Sequence, residues 1–90
     1  MTTVTFTRDE GDLFLSAIYV EGDRLVFDQN HQAEKDLQVG ALDDIHWRIV
    51  GPSGATLLVS KTVNGVERPI VQSSIPEGAD RLSDFKLFKV

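Results

Sequence analysis

The chain has 90 residues, a formal net charge of −5, 41% hydrophobic residues and no cysteine, which bounds it to one domain able to close a core without covalent staples. Without cysteine there is no disulfide framework, thiol nucleophile or Cys-ligated zinc site. The acidic balance argues against nucleic acid, which needs a basic stripe to release counterions, and equally against an anionic membrane surface. No stretch approaches the roughly 20 apolar residues of a membrane helix. The opening MTTVTFT has neither the basic nor the apolar region of a leader, so the expectation is a soluble, cytoplasmic chain, although a mature secreted form would read the same.

Charge is unevenly placed. Residues 1–45 hold ten acidic and three basic side chains, net −7, and residues 46–90 hold four acidic and six basic, net +2. Acidic turns that keep a β protein soluble explain this, as does docking of oppositely charged halves, within the fold or between subunits.

In chain order, Thr3 to Thr7 alternates Val4 and Phe6 with threonines and predicts a first strand, at a sheet edge. Leu13 to Val20 and Arg24 to Asp28 predict a hairpin through Gly22-Asp23, with Glu21 facing Arg24. That register puts Phe14, Ile18, Val20, Leu25 and Phe27 on one apolar face. Gln29 to Gly40 supports two readings: a short helix capped by Asn30 and stopped by Gly40, with Ala33 and Leu37 on one side, or a short strand over DLQVGAL, Asp36 to Leu42.

Ile45 to Ser73 carries the strongest signals. Asn64-Gly65 between Val63 and Val66 predicts a two-residue type I′ turn, because both central positions need positive φ. It pairs Thr62 with Glu67, Lys61 with Arg68 and Val59 with Ile70. Gly51-Pro52-Ser53-Gly54 predicts a three-residue loop closed by a glycine bulge, with Ile49 opposite Leu57 and Trp47 opposite Val59. Ile45, Trp47, Ile49, Leu57, Val59 and Ile70 then share the core face, and Leu58 and Val71 lie outside. Ile75-Pro76-Glu77-Gly78 breaks the pattern. Ser83 to Val90 supplies a last strand, with Phe85 and Leu87 on one face and Phe88 and Val90 on the other. Six to seven strands at spacings of about ten residues predict an antiparallel β-sandwich spanning residues 1–90, with a small closed barrel as the alternative.

Several constellations are candidates for chemistry. The meander register brings Asp44, His46 and Ser60 within reach on an open strand face, which lacks the desolvation and oxyanion donors of a nucleophilic triad. Acidic turn residues suggest calcium, with Asp9, Asp12 and Asp28 as ligands, although no loop-binding motif is present. His31 and His46 form a poor transition-metal pair without further His or Cys. Lys61 opposite Arg68 needs a compensating acid, from Asp43, Asp44 or Glu67, or from a bound anion or partner. Tyr19, Leu58 and Val71 are the outward apolar residues of a prospective interface. Phe14, Phe27 and Trp47 read as core. The functional expectation is a non-catalytic binding or assembly module working through protein–protein contacts, including self-association, without a cofactor. The alternative is a small-ligand binder for carbohydrate or calcium.

Overall fold

The computed structural model describes all 90 residues. Eight strands form two antiparallel sheets packed as a sandwich: β1 (Thr2–Gly11), β2 (Leu15–Val20), β3 (Asp23–Arg24), β4 (Gln32–Leu37), β5 (Leu42–Val50), β6 (Thr56–Val63), β7 (Val66–Ser74) and β8 (Arg81–Lys89). The first sheet runs β4-β1-β6-β7 and the second β3-β2-β5-β8. The chain contains no helix long and apolar enough to cross a membrane.

The core lies between the two inner faces, where period-two alternation delivers Val4 and Phe6 from β1, Ile18 and Val20 from β2, Ile45, Trp47 and Ile49 from β5, and Leu57 and Val59 from β6. Phe6 of the first sheet meets Phe88 of the second edge to face, ring centroids 6.1 Å apart. The aromatic quadrupoles favour that perpendicular arrangement.

The Asn64-Gly65 turn forms as expected. Both residues have positive φ, 51° and 79°, and Val63 pairs with Val66, Thr62 with Glu67, and Lys61 with Arg68. Beyond that point the register slips: Pro69 faces Ser60, but Val59 faces Val71 and not Ile70. Proline brings no N–H to the ladder, and one extra residue here forms a bulge. The slip buries Ile70 and leaves Val71 only 1% exposed, so Val71 belongs to the core and not to an outer interface.

The expected Ile45 to Ser73 meander is not a single sheet. β5 pairs with β2 and β8, and β6 with β1 and β7, so Trp47 does not pair with Val59, nor Ile49 with Leu57. The Gly51 to Gly54 segment carries the chain from one sheet to the other. Ala55 N–H closes the turn on the Pro52 carbonyl, while Gly51 N–H bonds Asp80 and Gly54 N–H bonds Ile75. Gly51 permits this corner, since a Cβ there would lie 3.2 Å from the Asp12 carbonyl oxygen and 3.3 Å from Ala55 Cβ. The six residues assigned to the core face are buried all the same, facing one another across the sandwich.

Other expectations are corrected. β1 is central, flanked by β4 and β6. The β2–β3 turn uses Glu21-Gly22, with φ of 51° and 80°, so that Val20 faces Asp23 and Tyr19, not Glu21, faces Arg24. Phe14 precedes β2 and is 79% exposed. The Gln29 to Gly40 segment is a strand and not a helix, but at Gln32–Leu37 and not at the expected Asp36 to Leu42, where Val39 and Gly40 turn: Ala33 and Leu37, four apart, share a face in either geometry, and pairing with β1 satisfies the backbone of β4. Asp28, not Asn30, provides the local cap, its Oδ1 accepting N–H bonds from Asn30 at 2.8 Å and Gln32 at 3.1 Å.

The strand order also locates the charge asymmetry. Residues 1–45 supply β1 to β4, the adjoining strands at one side of both sheets, and β6, β7 and β8 fill the other side. The acidic and basic halves therefore meet along the β1–β6 seam and within β5, whose first residues, Asp43 and Asp44 among them, belong to the acidic half.

Candidate functional site

The two outer faces differ in kind. On the first sheet, β1 presents Thr3, Thr5, Thr7 and Asp9, and registered neighbours on β4 and β6 include Glu34, Asp36, Thr56 and Thr62. Thr3 Oγ1 donates to Asp36 Oδ1 at 2.8 Å. Leu58, half-buried, is the apolar member of this polar face.

The second sheet's outer face is mixed, with exposed apolar and aromatic side chains set among Arg24, Asp44, Arg48, Arg81 and Lys89. Register aligns Arg24, Tyr19, His46 and Phe85 in one row across all four strands. His46 and Phe85 contact edge to face with centroids 5.8 Å apart. Leu87 lies opposite Asp44, and Leu15 and Leu42 stand at opposite ends of the face. Phe85 is 64% and Leu87 56% exposed, and Leu15 and Leu42 are exposed as well. Outward-facing large apolar side chains thus gather on one sheet, in the pattern of a contact surface.

A shallow open depression crosses the same face, lined by Tyr19, Gly22, Asp44, His46 and Arg48. Its rim at the β2–β3 turn is fixed by reciprocal bonds: Asp44 N–H donates to Glu21 Oε1 at 2.7 Å, and Glu21 N–H to Asp44 Oδ1 at 3.2 Å. Behind it, Asp43 is buried and its Oδ2 has no hydrogen-bond partner. Burial, then the negative charges of Glu21 and Asp44, push the Asp43 carboxyl above the ordinary carboxylate range, and Lys35 pulls the other way. Lys35 is itself held by Asp23, Nζ to Oδ2 at 2.7 Å, in a bridge between the sheets.

A second polar group fills the inner face where β1 passes β2. The Arg8 guanidinium stacks 4.4 Å from the Phe27 ring centroid, donates to Ser16 Oγ at 3.3 Å and lies 3.4 Å from Glu10. Cation–π stacking and the ion pair explain how this arginine is accommodated.

The residues singled out from sequence fare unequally. Tyr19 lies half-buried in the aromatic row, whereas Leu58 is on the opposite sheet and Val71 is in the core, so these three form no common patch. Lys61 and Arg68 are paired in register, but Lys61 Nζ donates across the sandwich to the Lys89 carbonyl at 2.6 Å, and no acid ion-pairs with either residue. His46 and Ser60 sit on different sheets, and the Asp44, His46 and Ser60 constellation does not form. Asp9 ends on an exposed stretch of β1, Asp12 is in the β1–β2 link and Asp28 caps its own turn, and no three His, Asp or Glu side chains cluster in the chain. In the sequence Phe85 and Leu87 form only one of two possible faces of the last strand. Nothing in the sequence pattern singles out Leu15 or Leu42.

The fold and surface define a class: a small antiparallel β-sandwich with one polar sheet face and one on which exposed apolar side chains are mixed with charged ones. Comparison with family models, curated proteins and solved structures returns no match to this chain.

Proposed function

We propose that the chain is a non-catalytic protein-contact module that binds through the outer face of the second sheet. The observation that carries this reading is the exposed Phe85 and Leu87 beside the Tyr19–His46–Phe85 row, with Leu15 and Leu42 exposed at the two ends of the same face, against a threonine-rich and acidic face on the other sheet. Aromatic side chains and arginines, here Tyr19, Phe85, Arg24 and the central Arg48, are the usual anchors of protein interfaces, and apolar neighbours around them exclude water.

A photo-crosslinking residue placed at Phe85 tests the assignment, with the same residue at Thr5 on the opposite face as control. Protein adducts from position 85 but not from position 5 are expected. Equal yields from both, or none from position 85, overturn the proposal. The depression lined by Tyr19, Asp44 and Arg48 supports a second reading, a carbohydrate site with one ring to stack and polar groups to orient hydroxyls. A raised melting temperature with a glycan, together with no adducts from position 85, would move the assignment there.

A further inference from the structure

We propose that the partner of this module is a second copy of the chain, joined by antiparallel pairing of β8 with its own copy across a two-fold axis at Phe85. The proposal rests on the reading of the second sheet as a protein-contact surface, moves the contact to that sheet's open edge, so that the outer face is extended and not covered, and names both the partner and its register.

Four strands occupy sheet edges, and three are blunted. β3 has two residues. β4 is short and charged, and its Lys35 is tied to Asp23. β7 carries Pro69 and the bulge opposite Val59 and Ser60. Short strands, charges, prolines and bulges are the devices that keep an edge from pairing. β8 is nine residues long, contains no proline and keeps unbroken register with β5 from Arg81 to Lys89.

The ladder gives the direction of its free groups. Glu21 N–H bonds the Asp44 carbonyl and Gly51 N–H bonds the Asp80 carbonyl at 2.9 Å. The alternation of an antiparallel ladder then turns the backbone groups of Leu82, Asp84, Lys86 and Phe88 toward β5, and those of Ser83, Phe85 and Leu87 toward the open edge. Phe85 N–H accordingly bonds only its neighbour's side chain, Asp84 Oδ1 at 2.8 Å. At the end of the strand, Lys61 occupies the Lys89 carbonyl.

Charge selects the occupant. Asp84 and Lys86 are exposed on the inner-facing side of β8, and neither has an ion-pair partner in the chain. A two-fold axis at Phe85 sets Asp84 opposite Lys86 of the copy and Lys86 opposite Asp84, two complementary pairs made by one operation. The same register faces Ser83 with Leu87 and Leu82 with Phe88. On the outer side it joins the Tyr19–His46–Phe85 row to its counterpart, giving one continuous eight-stranded sheet. The Asp84 carboxylate exchanges its bond to Phe85 N–H for the lysine of the copy, and the N–H takes a backbone carbonyl. Arg81, bonded to Asp80 at 3.0 Å, and Lys89, bonded to Lys61, lie at the ends, so pairing runs from Leu82 to Phe88.

The absence of cysteine makes the register directly testable. Phe85→Cys should form a disulfide-linked dimer under mild oxidation, because hydrogen-bonded antiparallel partners stand about 5.5 Å apart at Cα, within disulfide range. Leu87→Cys alone should not, since its copy lies about 13 Å along the strand, but a mixture of Ser83→Cys and Leu87→Cys chains should crosslink. By sedimentation, Lys86→Asp should raise the dimer dissociation constant about tenfold by placing two like-charge pairs at the seam. The double exchange Asp84→Lys with Lys86→Asp should return it to within about threefold of the parent. A monomer at millimolar concentration, crosslinking of Leu87→Cys as efficient as that of Phe85→Cys, or failure of the double exchange to restore association overturns the pairing. A monomeric chain that still gives adducts to other proteins from position 85 refutes the second-copy partner and leaves the contact surface standing.

Discussion

Phe6 and Phe14 provide the sharpest test of how the core is built, because the sequence places Phe14 in the core and Phe6 only on an edge strand, and the fold reverses the two. Phe6 is fully buried in the central strand of the first sheet and meets Phe88 edge to face; Phe14 is 79% exposed in the link before β2. Truncating a buried phenylalanine to alanine costs about 3–5 kcal/mol, including the cavity left between sheets that relax only partly. A 90-residue domain has a total stability of about 5–13 kcal/mol. Phe6→Ala should therefore remove about 4 kcal/mol, between a third and most of the total. In urea, with a slope of about 1.3 kcal/mol per molar, the midpoint should fall by about 3 M, and a parent near the low end of stability should yield a largely unfolded variant. Phe14→Ala should move the midpoint by less than about 0.4 M, since surface substitutions stay within about 0.5 kcal/mol. Tryptophan fluorescence reads both transitions through Trp47. Comparable losses at the two positions, or a Phe6→Ala loss below about 1.5 kcal/mol, would refute the inward assignment of β1.

Two further outcomes follow from the turn and the buried acid. Gly65→Ala forces a side chain into φ of 79°, where no neighbour lies within 4 Å of the new Cβ, so its cost should be the conformational one alone, about 1–2 kcal/mol by chemical denaturation; a loss beyond about 3 kcal/mol would reveal contacts the turn does not have. The Asp43 carboxyl is raised above its ordinary value of 3.8 by burial, Glu21 and Asp44. The folded chain therefore binds its proton more tightly than the unfolded chain, and stability falls as pH rises from 3.8 through the folded value. Asp43→Asn should melt higher than the parent at pH 7, and the advantage should vanish below pH 3.8; a lower melting temperature for the variant at pH 7 would show that the carboxylate is needed in its charged form.

How far the fold was legible depends on what side-chain alternation encodes. Alternation says which face of a strand turns inward, and Ile45, Trp47, Ile49, Leu57 and Val59 are indeed buried. It does not say whether two inward faces belong to strands that pair or to strands that stack, because a core-facing residue has the same polarity in either case. The Gly51 to Gly54 segment resembles a hairpin loop, yet it is a corner between sheets, and the bonds that make it so come from Ile75 and Asp80, more than twenty residues away. The Asn64-Gly65 hairpin was legible because its determinants are local: two positive-φ positions and two flanking valines. Pro69 was a visible warning of irregularity four residues past the turn, and the bulge it accompanies reverses the expected placement of Val71.

The contact surface was less legible than the core because outward apolar residues carry no mark of their purpose. Ser83 to Val90 offers Phe85 and Leu87 on one side and Phe88 on the other, and only the stacking of Phe88 on Phe6 decides which side is inner. Once that choice is made, the exposed pair falls on an outer face that already holds Leu15, Leu42 and Tyr19. The inner side of the same strand holds Asp84 and Lys86, charges that the core would reject if β7 closed over them. Charges turned inward on an edge strand ordinarily defend it against indiscriminate pairing. Opposite in sign and two residues apart about Phe85, they repel a shifted register and match a symmetric one, so the same residues that protect this edge from other strands specify the one strand it accepts.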